Sequence, residues 1–109
     1  MSRARVLLYY HAPADGPDPV RDAYHEASRA LRGTPGLIGN ELLHDVTEAG
    51  TYVVLSEWES IEAFQAWERG PRHRNETSPL RPYQDRRSRA RHFGVYEVAA
   101  SYGPPGAAA

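Results

Sequence analysis

Tyr52-Val53-Val54-Leu55-Ser56-Glu57-Trp58, then Glu59-Ser60, then Ile61-Glu62-Ala63-Phe64-Gln65-Ala66-Trp67, and finally Gly70-Pro71-Arg72-His73 decide how the chain folds. The first run alternates as a strand does, with Tyr52, Val54, Ser56 and Trp58 on one face and Val53, Leu55 and Glu57 on the other. Ser60 has the side-chain oxygen of a helix N-cap, and Gly70-Pro71 is a helix stop. Between them Ile61, Phe64 and Trp67 fall on successive turns and make one apolar stripe, which must lie on the sheet. Both tryptophans of the chain are in this stretch, one closing the strand and one on the helix.

Outward from it, residues 37–46 read as the preceding strand, alternating Leu37, Gly39, Glu41 and Leu43 against Ile38, Asn40, Leu42 and His44. Thr47-Glu48-Ala49-Gly50 is a compact connection, so these two strands should form a hairpin. Residues 3–11 read as the first strand, with Val6, Leu8 and Tyr10 on one face and Leu7, Tyr9 and His11 on the other. Both faces are apolar or aromatic, as in a strand covered on both sides. Residues 12–17 form a loop. Asp18 is then placed to cap a helix with Pro19 in its first turn, and Val20, Ala23, Tyr24, Ala27, Ala30 and Leu31 are its apolar face; Gly33 ends it. Residues 71–84 are interrupted by prolines and should hold only a short helical turn near 72–76. A last strand is expected over 91–99, with His92, Gly94, Tyr96 and Val98 on one face. Residues 101–109 lack a core-forming pattern and are expected to be a disordered tail beyond a single domain at 1–100.

The order strand, helix, strand, strand, helix, strand is the split βαβ, or ferredoxin-like, α+β arrangement. Its helices cover one face of the sheet. Because the strands carry apolar residues on both faces, the other face calls for a partner, which favours a homodimer.

Composition narrows the chemistry. There is no cysteine, which excludes disulfides, thiolate nucleophiles and cysteine-ligated metal centres. All 13 basic residues counted as Lys or Arg are arginine, so a Schiff-base lysine is excluded as well. The formal charge of −1 does not point to nucleic acid, and no run is long and apolar enough for a membrane partner. The expected setting is cytoplasmic. His11, His25, His44, His73 and His92 are scattered without metalloenzyme spacing, so no metal site is expected. Arg69, Arg72, Arg74, Arg81, Arg86, Arg87, Arg89 and Arg91 gather in one region. They read either as a patch for an anionic ligand or as a solvated face balanced by Glu68, Glu76 and Asp85.

Glu57-Trp58-Glu59-Ser60, with Glu62-Ala63-Phe64, Trp67 and His73, resembles the signature segment of the antibiotic biosynthesis monooxygenase family, and Thr34-Pro35-Gly36-Leu37-Ile38-Gly39 resembles the start of that family's second strand. The resemblance implies a dimeric α+β barrel. It also implies oxygen chemistry on an electron-rich polycyclic aromatic polyketide of phenol, hydroquinone, anthrone or angucycline type. No tightly bound cofactor is implied; ring-opening relatives use reduced flavin (FADH2) from outside, which brings a flavin reductase in as a partner. The candidates for proton handling are His73 and Tyr9, with Asn40 for contact to a substrate anion. The candidate walls of the pocket are Leu7, His11, Val54, Trp58, Phe64, Trp67 and Tyr83. Read on their own, the aromatics serve equally as plain core, and His73 as a surface or capping histidine. Anthrone-oxidising relatives carry an asparagine and a tyrosine where this chain has Val54 and Phe64. Heme-degrading relatives share the helix tryptophan, here Trp67, but their first-strand asparagine falls near Tyr9. A polyketide cyclase and a non-catalytic binding subunit complete the alternatives.

Overall fold

Strands β1 (Ala4–His11) and β3 (Thr51–Trp58) pair antiparallel along their whole length, from Ala4 opposite Trp58 to His11 opposite Thr51, and form the centre of the molecule. This computed structural model describes residues 3–85 and 93–103. The other elements are α1 (Asp18–Ala30), β2 (Leu37–His44), α2 (Ile61–Arg69), α3 (His73–Thr77), a 3-10 segment (Ser78–Tyr83) and β4 (Phe93–Glu97). The described strands make one antiparallel sheet in the order β2-β3-β1-β4, so β3 splits the β1-α1-β2 unit and the fold is ferredoxin-like.

Local chemistry explains the boundaries. The Ser60 hydroxyl accepts from the Ala63 amide at 3.0 Å, satisfying one orphan donor of α2, and Gly70 closes that helix. Gly36 turns the chain into β2 with φ near +82°, and a Cβ there would collide with Ala63 of α2. Only glycine serves at that crossing. Asp18 does not cap α1. Pro17 already has helical backbone angles and takes the cap position, so Asp18 lies in the first turn, where its charge complements the helix dipole.

Two strands differ from expectation. β2 stops at His44, not 46, because the Asp45 carboxylate accepts from the Thr47 amide and hydroxyl at 2.8 and 2.6 Å and turns the chain, leaving Val46 exposed. The strand also contains a bulge. Leu37 lies opposite Trp58 and Gly39 opposite Glu57, so Ile38 is the extra residue and Leu37 shares a face with Asn40, Leu42 and His44. β4 covers Phe93–Glu97 of the expected 91–99; Arg91 and His92, like Arg86, Arg87, Arg89 and residues 104–109, lie outside the described residues.

The segment after α2 is more ordered than its prolines suggested. α3 runs directly into the 3-10 segment, whose first turn accommodates Pro79 and whose Leu80 is buried in the core. Gln84 bridges to Tyr10, and the Asp85 amide donates to the Tyr9 carbonyl at 2.9 Å, which ties this segment to the edge of β1.

The buried side chains form two clusters under the helices. One gathers Tyr10, Val20, Ala27, Tyr52, Val54 and Leu80; the other gathers Ala4, Val6, Trp58 and Phe64. Among the described residues no helix covers the opposite face of the sheet. Leu7, Tyr9, Val53 and Leu55 are half-buried there, Leu43 and Tyr96 are exposed, and Arg5 pairs with Glu57 at 3.2 Å.

Candidate active site

A cavity of about 410 Å³ lies between sheet and helices and is lined by members of both core clusters. That volume is in the roughly 300–1,000 Å³ range of small-molecule pockets. Its floor is the helix-facing side of the sheet: Val6, Leu8 and Tyr10 from β1, Asn40 from β2, and Val54, Ser56 and Trp58 from β3. Phe64 and Trp67 come down from α2, and His73 and Thr77 from α3. Leu80, Arg81 and Gln84 close the side, with Ala27 and Leu31 of the first helical region.

The aromatic wall is a single packed unit. Trp58 and Phe64 meet edge to face at 5.5 Å, Trp58 and Trp67 are tilted at 5.5 Å, and Phe64 and Trp67 lie 6.1 Å apart. Each indole N–H has a partner. Trp58 Nε1 donates to Ser56 Oγ at 3.0 Å, and Trp67 Nε1 donates to Glu76 Oε1 at 2.7 Å. Glu76 is buried, and its other oxygen lies 3.4 Å from Arg72. His73 stands perpendicular to the Trp67 ring at 4.6 Å. The plane of Trp67 is therefore held by a carboxylate at its N–H and by an imidazole against the ring.

The polar groups come from separate elements. Asn40 Oδ1 accepts from the Tyr24 hydroxyl at 2.6 Å and from Ser28 at 3.4 Å, both on α1. Arg81 donates to Thr77 Oγ1 at 3.1 Å. Burial pushes the Tyr10 hydroxyl well above the usual tyrosine range, with the nearby Arg81 charge pulling it partly back, so Tyr10 presents a neutral phenol to the cavity. Among the described residues no group of three or more His, Cys, Asp or Glu could hold a metal ion, and no helix is long and apolar enough to cross a membrane.

Of the residues singled out from sequence, Asn40, Val54, Trp58, Phe64, Trp67 and His73 line this one cavity. Leu7, Tyr9 and His11 do not. They pair with Leu55, Val53 and Thr51 on the opposite face of the sheet, because Ala4 sits opposite Trp58 and the even-numbered residues of β1 therefore share its face. The first-strand wall is Val6, Leu8 and Tyr10, and Tyr9 stands across the sheet from Asn40 and His73. Tyr83 packs against the cluster around Tyr10 without lining the cavity.

Sequence reasoning put Ser56 on the face of Trp58 without giving it a role, and passed over Thr77, Gln84 and the backing pair Tyr24 and Ser28. The helical spacing of Tyr24 and Ser28, one turn apart on α1, was the available signal. Glu76, read as part of a solvated face, is a buried partner of Trp67; the two meet only because α3 folds back beneath α2, which no local pattern announces.

Residues 4–75 match the sequence profile of the antibiotic biosynthesis monooxygenase family. Protein SchA of Streptomyces halstedii is 32% identical over 108 residues, covering 99% of this chain and 28% of that protein. The mycobilin-producing heme oxygenase of Mycobacterium tuberculosis is 43% identical over 56 residues, covering 51% of this chain and 52% of the enzyme. The chain thus spans about a quarter to a half of the length of these relatives. Among solved structures, SnoaB from Streptomyces nogalater, a cofactor-independent oxygenase, superposes with a TM-score of 0.73 over 96% of this chain and 99% of its own, at 15% identity.

Proposed function

Because the chain belongs to the antibiotic biosynthesis monooxygenase family, we propose that it is a small oxygenase that binds a flat polycyclic aromatic between sheet and helices and delivers it to O2. The observation that carries this reading is the cavity itself: Trp58, Phe64 and Trp67 form one wall, and Asn40 and His73 reach the same space. A phenol, hydroquinone, anthrone or angucycline would lie against the aromatic wall, where stacking and exclusion of water favour it. His73 takes a proton from the ring system, and the amide of Asn40 meets the resulting oxyanion. The electron-rich anion passes an electron to O2, and the radical pair combines at carbon. In oxidation of a ring methylene, one O2 leaves a carbonyl and one water.

Val54 and Phe64 on the wall are apolar where the anthrone-oxidising pattern is polar, which supports a reading in which β2 and α3 supply the polar groups. That is consistent with a ring-opening branch in which reduced flavin, delivered by a separate reductase, supplies two electrons to oxygen. Arg81 on the cavity wall suits an anionic cosubstrate of that kind. The half-covered outer face of the sheet, with Leu7, Tyr9, Val53 and Leu55, supports assembly as a homodimer through that face.

A second reading is heme degradation, favoured by His73 standing against Trp67 at the cavity wall and by the local identity to a heme oxygenase. Oxygen uptake by chelator-treated, flavin-free protein separates the two. Protein-dependent uptake with anthrones or reduced polycyclic quinones supports the first reading, and a gain on adding reduced flavin assigns the ring-opening type. A Soret shift on heme titration that disappears in His73→Ala, with no uptake on polycyclic aromatics, supports the second. On the first reading His73→Ala lowers turnover by roughly 100-fold, the scale of a lost general base, while the urea midpoint stays close to that of the parent.

A further inference from the structure

We propose that Asn40 and Ser56 together form a two-donor cradle for an ionised oxygen, so that the cavity selects an acidic phenol or enol in its anionic form. The proposal rests on reading this cavity as the substrate site. It names which state of the substrate is bound and which residues choose it.

Asn40 and Ser56 are direct cross-strand partners in the β2–β3 register, and both line the cavity. Such partners hold their Cβ atoms about 4.5–5.5 Å apart, close enough for both side chains to reach one ligand oxygen. Each carries both donor and acceptor capacity, so what it offers a ligand depends on what the protein already uses. For Asn40 the acceptor is used. The Tyr24 hydroxyl lies 2.6 Å from Oδ1, a distance usual for O–H···O and shorter than the roughly 2.7–3.2 Å of N–H···O, so the amide oxygen faces α1. Ser28 adds a second contact to the same oxygen at 3.4 Å. The amide N–H groups on Nδ2 are not drawn into those contacts, so they remain to serve a ligand in the cavity that Asn40 lines. Ser56 likewise keeps a donor for a ligand, by a different route. Its Oγ accepts from Trp58 Nε1, and an indole N–H can only donate, so the hydroxyl proton of Ser56 is not consumed by that contact.

Two donors side by side on the cavity floor, with the Asn40 oxygen taken by two hydroxyls and one Ser56 lone pair taken by the Trp58 indole, favour an oxyanion over a neutral hydroxyl, whose own proton has only the remaining Ser56 lone pair to turn to within the pair. Hydrogen bonds from such donors to an ionised acceptor are about twice as strong as to a neutral one. The ionisable groups on the surrounding walls are Tyr10 from β1, Glu68 from α2, His73 from α3 and Arg81 from the 3-10 segment. Tyr24 never touches the ligand in this arrangement; it is a positioning residue that keeps the amide of Asn40 turned the right way.

Alizarin, a dihydroxyanthraquinone already in the oxidised state, changes colour on losing its phenolic proton and tests the cradle without turnover. Titrated anaerobically across pH with the intact protein, bound alizarin is expected to ionise about one pH unit or more below free alizarin, which is about tenfold tighter binding of the anion. Asn40→Leu and Ser56→Ala each return the bound value toward that of the free dye, Ser56→Thr keeps the shift, and Tyr24→Phe loses part of it. Unsubstituted anthraquinone, which has no proton to lose, binds all variants alike. If freeing the Trp58 indole makes Ser56→Ala unfold, Asn40→Leu and Tyr24→Phe decide the matter. An unshifted or raised value in the parent, failure of alizarin to bind, or equal loss of both dyes in the variants overturns the cradle. Oxygen uptake reports separately: a shifted dye with no uptake on any polycyclic removes the oxygenase reading and leaves the cradle standing.

Discussion

The two faces of the sheet are made from the same strands and differ in how they are finished. On the helix side, Ala4, Val6 and Trp58 are essentially sealed, and even a carboxylate, Glu76, is buried with partners on both oxygens. On the far side, Leu7, Tyr9, Val53 and Leu55 are as apolar as their neighbours, yet they are only half-buried, and Leu43 and Tyr96 are 42% and 52% exposed. Hydrophobicity along the strands is therefore no measure of what is complete within one chain. The covered face is finished by helices and encloses a ligand-sized space; the open face is the one through which the proposed homodimer would assemble.

The sharpest way to break this comparison is to truncate two residues of the same strand on opposite faces. Trp58→Ala, on the sealed side, is expected to cost about 3–5 kcal/mol in urea unfolding, in the range of large core truncations. Leu55→Ala should cost far less within the monomer, and equal losses would show the faces to be equivalent. Placing a charge on the open side with Leu55→Asp should halve the sedimenting mass while leaving far-ultraviolet dichroism unchanged. A parent already sedimenting as a monomer would refute the pairing of sheets. On the sealed side, Glu76→Leu strands the Trp67 indole N–H and should lower stability by about 1–3 kcal/mol, with Glu76→Gln, which keeps an acceptor, losing less than half of that.

The smallest effect is one of pH. Burial raises the Tyr10 hydroxyl above its ordinary value, so ionisation is easier in the unfolded chain than in the fold. The stabilising contribution is fully present below about pH 10, the ordinary tyrosine value, and is lost as pH rises through the elevated folded value. Tyr10→Phe should flatten this part of the alkaline decline in thermal midpoint.

Much of the fold could be read from the chain. The alternation of residues 52–58, the Ser60 cap, the Gly70 stop and the stripe of Ile61, Phe64 and Trp67 are local signals, and each corresponds to an element with nearly the same limits. The parity of β1 was beyond reach of such signals. Val6, Leu8 and Tyr10 are no more apolar in pattern than Leu7, Tyr9 and His11, and only the long-range pairing of Ala4 with Trp58 chooses between them. That one ambiguity displaced two expected wall residues, Leu7 and His11, and one proton-handling candidate, Tyr9, to the far side of the sheet. The contact of Glu76 with Trp67 and the continuation through Pro79 and Pro82 depend likewise on tertiary packing, which propensities do not see.

The bulge at Ile38 lets the strand store one residue of extra length. Leu37 before it and Asn40 after it face the same side of the sheet, so loss of the extra residue would straighten the strand and leave the amide of Asn40 at the cavity. A difference of one residue in length at this point is therefore silent for the site. Positions beyond it should be matched between relatives by the side of the sheet they occupy, not by counting from the preceding glycine.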